Sequence, residues 1–256
     1  MEPSIKLESG DGVAVLTLNK PKKLNAFDGE MIGLWAHHLE EAAADPDVNV
    51  IVVTGAGRAF CAGGDISDLL SYRDKPSLAF KDYLYREVHK IARLHERIEK
   101  PIIAALNGTA RGAGLDMALM CDLRIAARSA VFAESYINVG MIAGDGGTYY
   151  LPRLIGTARA LEMFWTGSEV DAKEAERIGL VNRVVADEAL MDVTMDLARK
   201  IASQPQAAVR CFKRAVYAGA SMNLEAHLDM VSSHMAVLKD THDHQSRLEA
   251  FTKRRD

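Results

Sequence analysis

Two glycine-bearing loops, each set between an apolar β-forming run and a helix-forming stretch, constrain this chain more than any other feature. The first reads Phe60-Cys61-Ala62-Gly63-Gly64-Asp65-Ile66 and follows Val50-Ile51-Val52-Val53-Thr54. The second reads Asn107-Gly108-Thr109-Ala110-Arg111-Gly112-Ala113-Gly114-Leu115-Asp116 and follows Ile102 to Leu106. Short, wholly apolar runs are expected of strands buried on both faces. A turn from strand to helix through glycine can aim a backbone N–H outward. Two such turns, if they meet, present a pair of donors to one oxygen that gains negative charge during a reaction. This requires amides that no other backbone group already occupies.

The rest of the chain fits that frame. Val13 to Leu18 is rich in β-formers and predicts a strand, with Ile5 to Leu7 its partner across the Gly10-Asp11-Gly12 turn. Glu30 to Ala44 carries Met31, Leu34, Trp35, Leu39 and Ala42 at helical spacing. Phe80, Tyr83, Leu84, Val88, Ile91, Leu94 and Ile98 mark one face of a long amphipathic helix stopped by Pro101. A helix over Leu115–Met120 and a strand over Leu123–Ala126 follow. This alternation predicts an α/β fold of stacked ββα units. From Gly146 the pattern is mostly helical, with one late strand at Leu180–Val185. Ser203-Gln204-Pro205-Gln206 reads as a hinge, dividing a core over 1–203 from a helical region over 204–256.

Composition excludes several classes. The 256 residues are 48% hydrophobic and 26% charged, as in ordinary globular chains, and the net charge of −4 gives no support to nucleic-acid binding. The three cysteines, Cys61, Cys121 and Cys211, form no C-x-x-C pair and fit a reducing, cytoplasmic setting. Met1-Glu2-Pro3-Ser4 lacks a basic stretch followed by an apolar run, so no secretory leader is expected. No apolar run is long enough to cross a bilayer.

Competing motifs are weak. Gly55-Ala56-Gly57 lacks the third glycine of a dinucleotide-binding turn, because Phe60 stands there. There is no G-x-S-x-G nucleophile elbow. His242-x-His244 has no supporting ligand cluster, and no metal site is expected. Asp116 falls in the first turn of a helix, where a carboxylate is favoured. It reads either as a capping acid or as a semi-buried catalytic acid. Asp145, within Ala143-Gly144-Asp145-Gly146-Gly147, reads either as a helix N-cap or as a second acid. Glu134 and Tyr136 flank Ser135 and read either as surface residues or as cleft residues. Leu70, Tyr72, Phe80, Tyr83 and Trp165 are candidates to line a pocket, with core packing the alternative.

From about Val13 to Lys253 the chain resembles the crotonase superfamily, the enoyl-CoA hydratases and isomerases. The resemblance rests on Lys22-Lys23-Leu24-Asn25-Ala26, on both glycine loops, on Met120-Cys121-Asp122, and on Gly146-Gly147-Thr148. Leu151-Pro152-Arg153, Thr166-Gly167, Ala172–Ala175 and Gly179-Leu180-Val181 continue it. It implies a crotonase-like spiral of ββα units with C-terminal helices that form a homotrimer or a dimer of trimers. It implies an acyl-CoA thioester as substrate, with coenzyme A as part of that substrate and no other cofactor, nucleic acid or membrane partner. The thioester oxygen is expected on the amides of Ala62 and Ala113. Lys22, Leu24, Ala26, Gly63, Gly64, Asp65, Ile66 and Gly112 are expected around the substrate. Phe251 and Lys253 match positions that reach the nucleotide part of coenzyme A.

The departures matter as much as the matches. Hydratases of the family hold water between two glutamates. Asp116 stands at the first position and Tyr136 at the second, where no carboxylate base remains. Relatives with an aspartate in the next loop align it with Gly144, one residue before Asp145. Ala113 stands where glycine is usual, which would disfavour alanine if the backbone there were strained. The expected activity is hydration of an enoyl-CoA, with Asp116, Asp145 and Tyr136 as the catalytic groups. Double-bond isomerisation, decarboxylation, thioester hydrolysis and non-catalytic acyl-CoA binding remain open alternatives.

Overall fold

The computed structural model describes residues 2–252. β1 (Ile5–Gly10) and β2 (Val13–Leu18) form an antiparallel hairpin. α1 (Gly29–Ala44) is capped by Asp28, whose side chain accepts from the Met31 N–H. It lays Met31, Ile32, Trp35 and Leu39 into the core. β3 (Val50–Gly55) then enters beside β2, and β5 (Ile102–Leu106), β7 (Leu123–Ala127) and β10 (Arg183–Val185) complete a six-stranded sheet in the order β1-β2-β3-β5-β7-β10. From β2 onward its neighbours are parallel.

A second sheet stands beside the first. Its strands β4 (Ala59–Cys61), β6 (Thr109–Arg111), β8 (Val131–Ala133) and β9 (Val170–Asp171) pair in that order, the first three parallel. Each of β4, β6 and β8 directly follows a strand of the first sheet, and helices follow in turn. This is the repeating ββα spiral. The crossings between sheets are tight enough to demand glycine. A Cβ at Gly55 would lie 2.2 Å from the Ala59 carbonyl oxygen, and one at Gly108 would lie 2.1 Å from that of Arg58.

The helices after the first unit are α2 (Ile66–Leu70), α3 (Ser77–Tyr83) and α4 (His89–Arg97). The long amphipathic helix expected across this region is interrupted by a π turn over Leu84–Val88. Such turns reposition side chains and recur at functional sites. α5 (Ala113–Leu119) follows β6 and is wholly buried. α6 (Gly147–Ile155), α7 (Thr157–Thr166), α8 (Ala172–Ile178) and α9 (Leu190–Ala202) close the core. The late strand is shorter than expected, because Leu180–Asn182 is irregular, and the two-residue β9 carried no sequence signal.

α10 (Gln206–Gly219), α11 (Leu224–Lys239) and α12 (His242–Thr252) follow Pro205. α10 is fastened to the core by polar bonds: Lys213 Nζ and Tyr217 Oη both reach Asp122, at 2.7 and 2.8 Å. Asp122 is thus a structural acid, also accepting the Ile102 N–H at 2.7 Å.

Gly114 offers a direct test of this packing. In an ordinary helix, alanine is favoured over glycine by about 1 kcal/mol. Here a Cβ would sit 2.2 Å from the Cys61 carbonyl oxygen. Gly114→Ala is therefore expected to destabilise by about 1–3 kcal/mol, as overpacking does. A lowered urea midpoint at unchanged slope checks it, and a rise in stability would contradict the close approach.

Candidate active site

The two glycine loops meet. Gly63 takes φ +103°, and a Cβ there would lie 3.0 Å from the Arg111 carbonyl oxygen and 3.5 Å from the Ala113 nitrogen. Only glycine tolerates both that backbone angle and that approach. Gly112, at φ +48°, ends β6, and its N–H is taken by the Ala133 carbonyl at 2.8 Å. Ala113 is then the first residue of α5, so its N–H has no intrahelical acceptor. The unusual conformation falls on Gly112, which is why alanine is accommodated at 113.

The donor of the first loop is not the one expected. The Ala62 N–H donates to the Leu24 carbonyl at 2.9 Å and is therefore occupied. The Phe27 N–H donates to Gly63, and the Asp65 N–H donates back to Phe27, at 2.9 and 2.7 Å. In that parallel bridge Gly64 faces away from Phe27, and its N–H has no hydrogen-bond acceptor among the described residues. Gly64 and Ala113 thus each offer an amide with no acceptor among the described residues, and both border one cavity. Ala62 lines the same cavity without its amide.

Asn25 holds this arrangement. It is fully buried at φ +57°. Its Nδ2 donates to the carbonyls of Ala56, Ala59 and Phe60 at 3.0, 2.8 and 3.1 Å, and its Oδ1 accepts the Lys20 N–H at 2.9 Å. Those bonds clamp the 20–26 loop against β4 and set the Leu24 carbonyl under Ala62. An asparagine followed by no glycine gave no sequence cue to that role.

The cavity has a volume of about 260 Å³. Gly63, Gly64, Asp65, Ile66, Gly112, Ala113, Tyr136 and Asp145 border it, as expected for the substrate site. Phe80 and Tyr83 also line it, whereas Leu70, Tyr72 and Trp165 do not. Tyr72 stacks on Tyr83 with ring centroids 4.9 Å apart, and Trp165 is 70% exposed. Leu84 and Val88 of the π turn complete an apolar wall with Leu69, Met141 and Ile142. Asp65 is spent on structure. It caps α2, accepts from Ser67, and pairs with Lys23 at 2.5 Å, which holds its carboxyl well below the usual range.

Opposite the amides lies a cluster of acids. Tyr136 Oη is 2.7 Å from Asp116 Oδ2 and 3.1 Å from Asp145 Oδ2. Asp116 Oδ2 also accepts the Asp145 N–H at 3.2 Å. Asp116 is fully buried and lies behind Tyr136, outside the cavity lining, whereas Tyr136 and Asp145 border the cavity. Asp116 therefore reaches a substrate through its neighbours rather than directly. Burial raises the pKa of both aspartates, and charge on either opposes charge on the other, so the two do not readily ionise together. Burial also pushes the Tyr136 phenol upward, so it stays protonated. A phenol has one proton and cannot donate to both aspartates. Tyr136 donates the shorter bond to Asp116, so Asp145 must carry a proton to bond the phenol oxygen. Asp116 is the anion, with the amides of Asp145 and Gly147 at the start of α6 favouring its charge.

The expected coenzyme contacts are more dispersed. Lys22, Leu24 and Ala26 lie on the loop next to the site but do not border the cavity, and Lys22 is exposed. Phe251 lies on α12 and is 59% exposed, also away from the cavity. Lys253 lies outside the described residues. No helix among them is long and apolar enough to cross a membrane.

Comparison with known proteins identifies the family. The enoyl-CoA hydratase/isomerase family profile matches residues 8–256. The chain is 39% identical to (E)-benzylidenesuccinyl-CoA hydratase of Thauera aromatica, covering 98% of this chain and 96% of that one. It is 35% identical to 1,2-epoxyphenylacetyl-CoA isomerase of Escherichia coli, covering 95% and 93%. The crystal structure of an enoyl-CoA hydratase from Mycobacterium smegmatis superposes with a TM-score of 0.91 at 34% identity, covering 99% and 97%. With its ββα spiral, paired loop amides and facing acids, the chain belongs to the enoyl-CoA hydratase/isomerase family.

Proposed function

We propose that this protein hydrates the double bond of an enoyl-CoA thioester, with Asp145, Tyr136 and Asp116 moving the protons. The observation that carries this is that Gly64, Ala113, Tyr136 and Asp145 border one cavity, with Asp116 2.7 Å behind the Tyr136 oxygen. The thioester oxygen accepts from the N–H groups of Gly64 and Ala113. Each donor of this kind is worth about 3–4 kcal/mol once charge builds on the oxygen. Water adds to the β-carbon. Its proton passes to the Tyr136 oxygen while Tyr136 gives its own proton to Asp116. Asp145 protonates the α-carbon, and the relay resets when Asp116 returns a proton through Tyr136. The acid and base roles are separable because the two aspartates differ in protonation state.

The same relay also moves a proton between two carbons. Double-bond isomerisation is the second activity we consider, favoured by one observation: Asp145 is the single carboxyl of the cluster bordering the cavity. Product mass separates the two, since hydration adds a water and isomerisation adds nothing. The apolar wall suits a hydrocarbon acyl group. Coenzyme A enters only as part of the substrate, near the 20–26 loop and α12.

We further propose assembly as a homotrimer or a dimer of trimers through α10–α12. None of their residues is buried in the single chain, and Phe212, Val216, Leu224 and Met235 are each at least 66% exposed. Exposed apolar surface on that scale marks a contact region. The unpaired cysteines fit the cytoplasm. Light scattering is expected to return three or six times the 28.0 kDa chain mass. A monomer at micromolar concentration would refute the assembly.

Asp145→Asn and Tyr136→Phe are each expected to lower kcat by about 100-fold or more with crotonyl-CoA, the usual scale for losing a general acid or base. Asp116→Asn is expected to do the same without borrowing a cavity contact. Because Asp116 must be ionised and its pKa is raised, activity of the wild type should climb with pH in a range well above the ~3.9 of an ordinary aspartate. Steady-state kinetics across pH measures both effects. Full activity in the Asp145 variant would overturn the relay.

A further inference from the structure

Glu134 is a third carboxyl in this cluster, and nothing in the relay uses it. It follows β8 at the head of a 3-10 turn over Ser135–Val139 and is fully buried. Among the described residues, neither of its side-chain oxygens has a hydrogen-bond donor. Asp116 Oδ1 is likewise buried without a donor. Gly112, one turn before Asp116, donates its N–H to the Ala133 carbonyl at 2.8 Å, and Tyr136 reaches Asp116 at 2.7 Å, so Glu134, which lies between Ala133 and Tyr136 in the chain, shares the surroundings of Asp116. Among the described residues, no lysine, arginine or histidine lies within ion-pairing distance of Glu134, Asp116 or Asp145.

Two carboxylates cannot both stay charged side by side in an apolar interior without a cation. Neighbouring carboxyls in such a setting are relieved by one proton shared between them. Asp116 already receives Tyr136 and the Asp145 amide, so its anion is the better supported of the two. We propose that Glu134 is a positioning residue, a neutral carboxylic acid that donates its proton to Asp116 Oδ1 and so fixes Asp116 as the anion of the relay. A single added proton then pairs one Glu134 oxygen with Asp116 Oδ1. It also turns Oδ2 of Asp116 toward Tyr136. The proposal rests on the acid–base relay proposed for this site.

The surrounding groups are consistent with this assignment. Asp116 approaches from α5, and Tyr136 from the same 3-10 turn. Asp145 approaches from the loop before α6. Asp145 in turn feels Cys61 of β4, Tyr83 of α3 and His89 of α4. His89 spends Nε2 on the Gly144 carbonyl at 2.8 Å. Burial and Asp116 both push Glu134 upward, to about 10, whereas its hydrogen bond lowers Asp116.

Infrared spectroscopy at pH 8 reads the proton without any substrate. The carbonyl band of a dry, protonated carboxylic acid should be present in the wild type and lose one component in Glu134→Gln. The component due to Asp145 is identified separately with Asp145→Asn. In kinetics, Glu134→Leu removes the donor, so the acid limb of kcat/KM should move to higher pH by about one unit or more and kcat/KM at pH 6 should fall by about 10-fold. Glu134→Gln keeps a donor of the same reach and should restore kcat/KM to within about threefold of wild type. An unchanged acid band in Glu134→Gln overturns the proposal, as does a Gln variant impaired as badly as Leu. If no enoyl-CoA is turned over at all, the relay fails while the infrared result still decides the protonation of Glu134.

Discussion

The close approach of two backbone segments governs this molecule. Gly114 sits against the Cys61 carbonyl at a distance no side chain permits, and Gly63 packs close to the Arg111 carbonyl at a backbone angle that favours glycine. Those contacts join the end of β4 to the start of α5, two elements that belong to successive ββα units. Because β4 and β6 are parallel neighbours, their C-terminal ends fall on the same side of the sheet. Every later feature of the site inherits its position from that junction. The amides of Gly64 and Ala113 are free because the chain turns there into a helix or out of a bridge, not because either is poorly packed. Asn25 keeps the first loop from relaxing, since its Nδ2 ties that loop to the carbonyls of Ala56, Ala59 and Phe60 at once.

Across the cavity the controlling constraint is proton arithmetic. Three carboxyls and one phenol are packed together, and among the described residues no cation is paired to the carboxyls. Hydrogen bonds between such groups exist only in numbers set by the protons present. With Tyr136 spending its proton on Asp116, both Asp145 and Glu134 are required to be acids. A charged relay member thus sits between two neutral neighbours, which is the division of labour that acid–base chemistry at one site needs. The tyrosine that replaces the second family glutamate does not empty that position. It links the other two groups.

Much of this was legible in the sequence, and the failures have physical causes. β3 and β5 were plain because strands buried on both faces read as unbroken apolar runs. The α1 helix was plain from its periodic apolar face. β9 was invisible because two residues carry no period, and the π turn was invisible because Leu84 and Val88 fit the ordinary helical spacing. At the first loop the motif was found but the donor was misplaced by two residues. Which amide in a loop is free depends on the partner strand, here Leu24 and Phe27, and no local signal records that. Asp116 was recognised as an acid at a helix start, yet its depth behind Tyr136 follows from the packing of α6 and the β8 turn. Glu134 was noticed only as a flanking residue, since a buried carboxyl without a cation looks in sequence like any surface glutamate.

The cluster also bears on stability. A carboxyl whose pKa is raised on folding binds its proton more tightly in the folded state, so it supports folding when protonated. That support is lost as pH rises from the unfolded value, ~4 for these groups, through the raised folded value. Asp116, Glu134 and Asp145 all shift in that direction. Ionising any second member of the cluster therefore works against the fold, while ionising none removes the base. The single negative charge on Asp116 is the compromise. The amides at the start of α6 favour that charge there and not on its neighbours, and Gly147 is the residue that lets them. A Cβ at Gly147 would lie 2.1 Å from Asp116 Oδ1. The glycine after the acid loop thus belongs to the electrostatics of the site as much as to its shape.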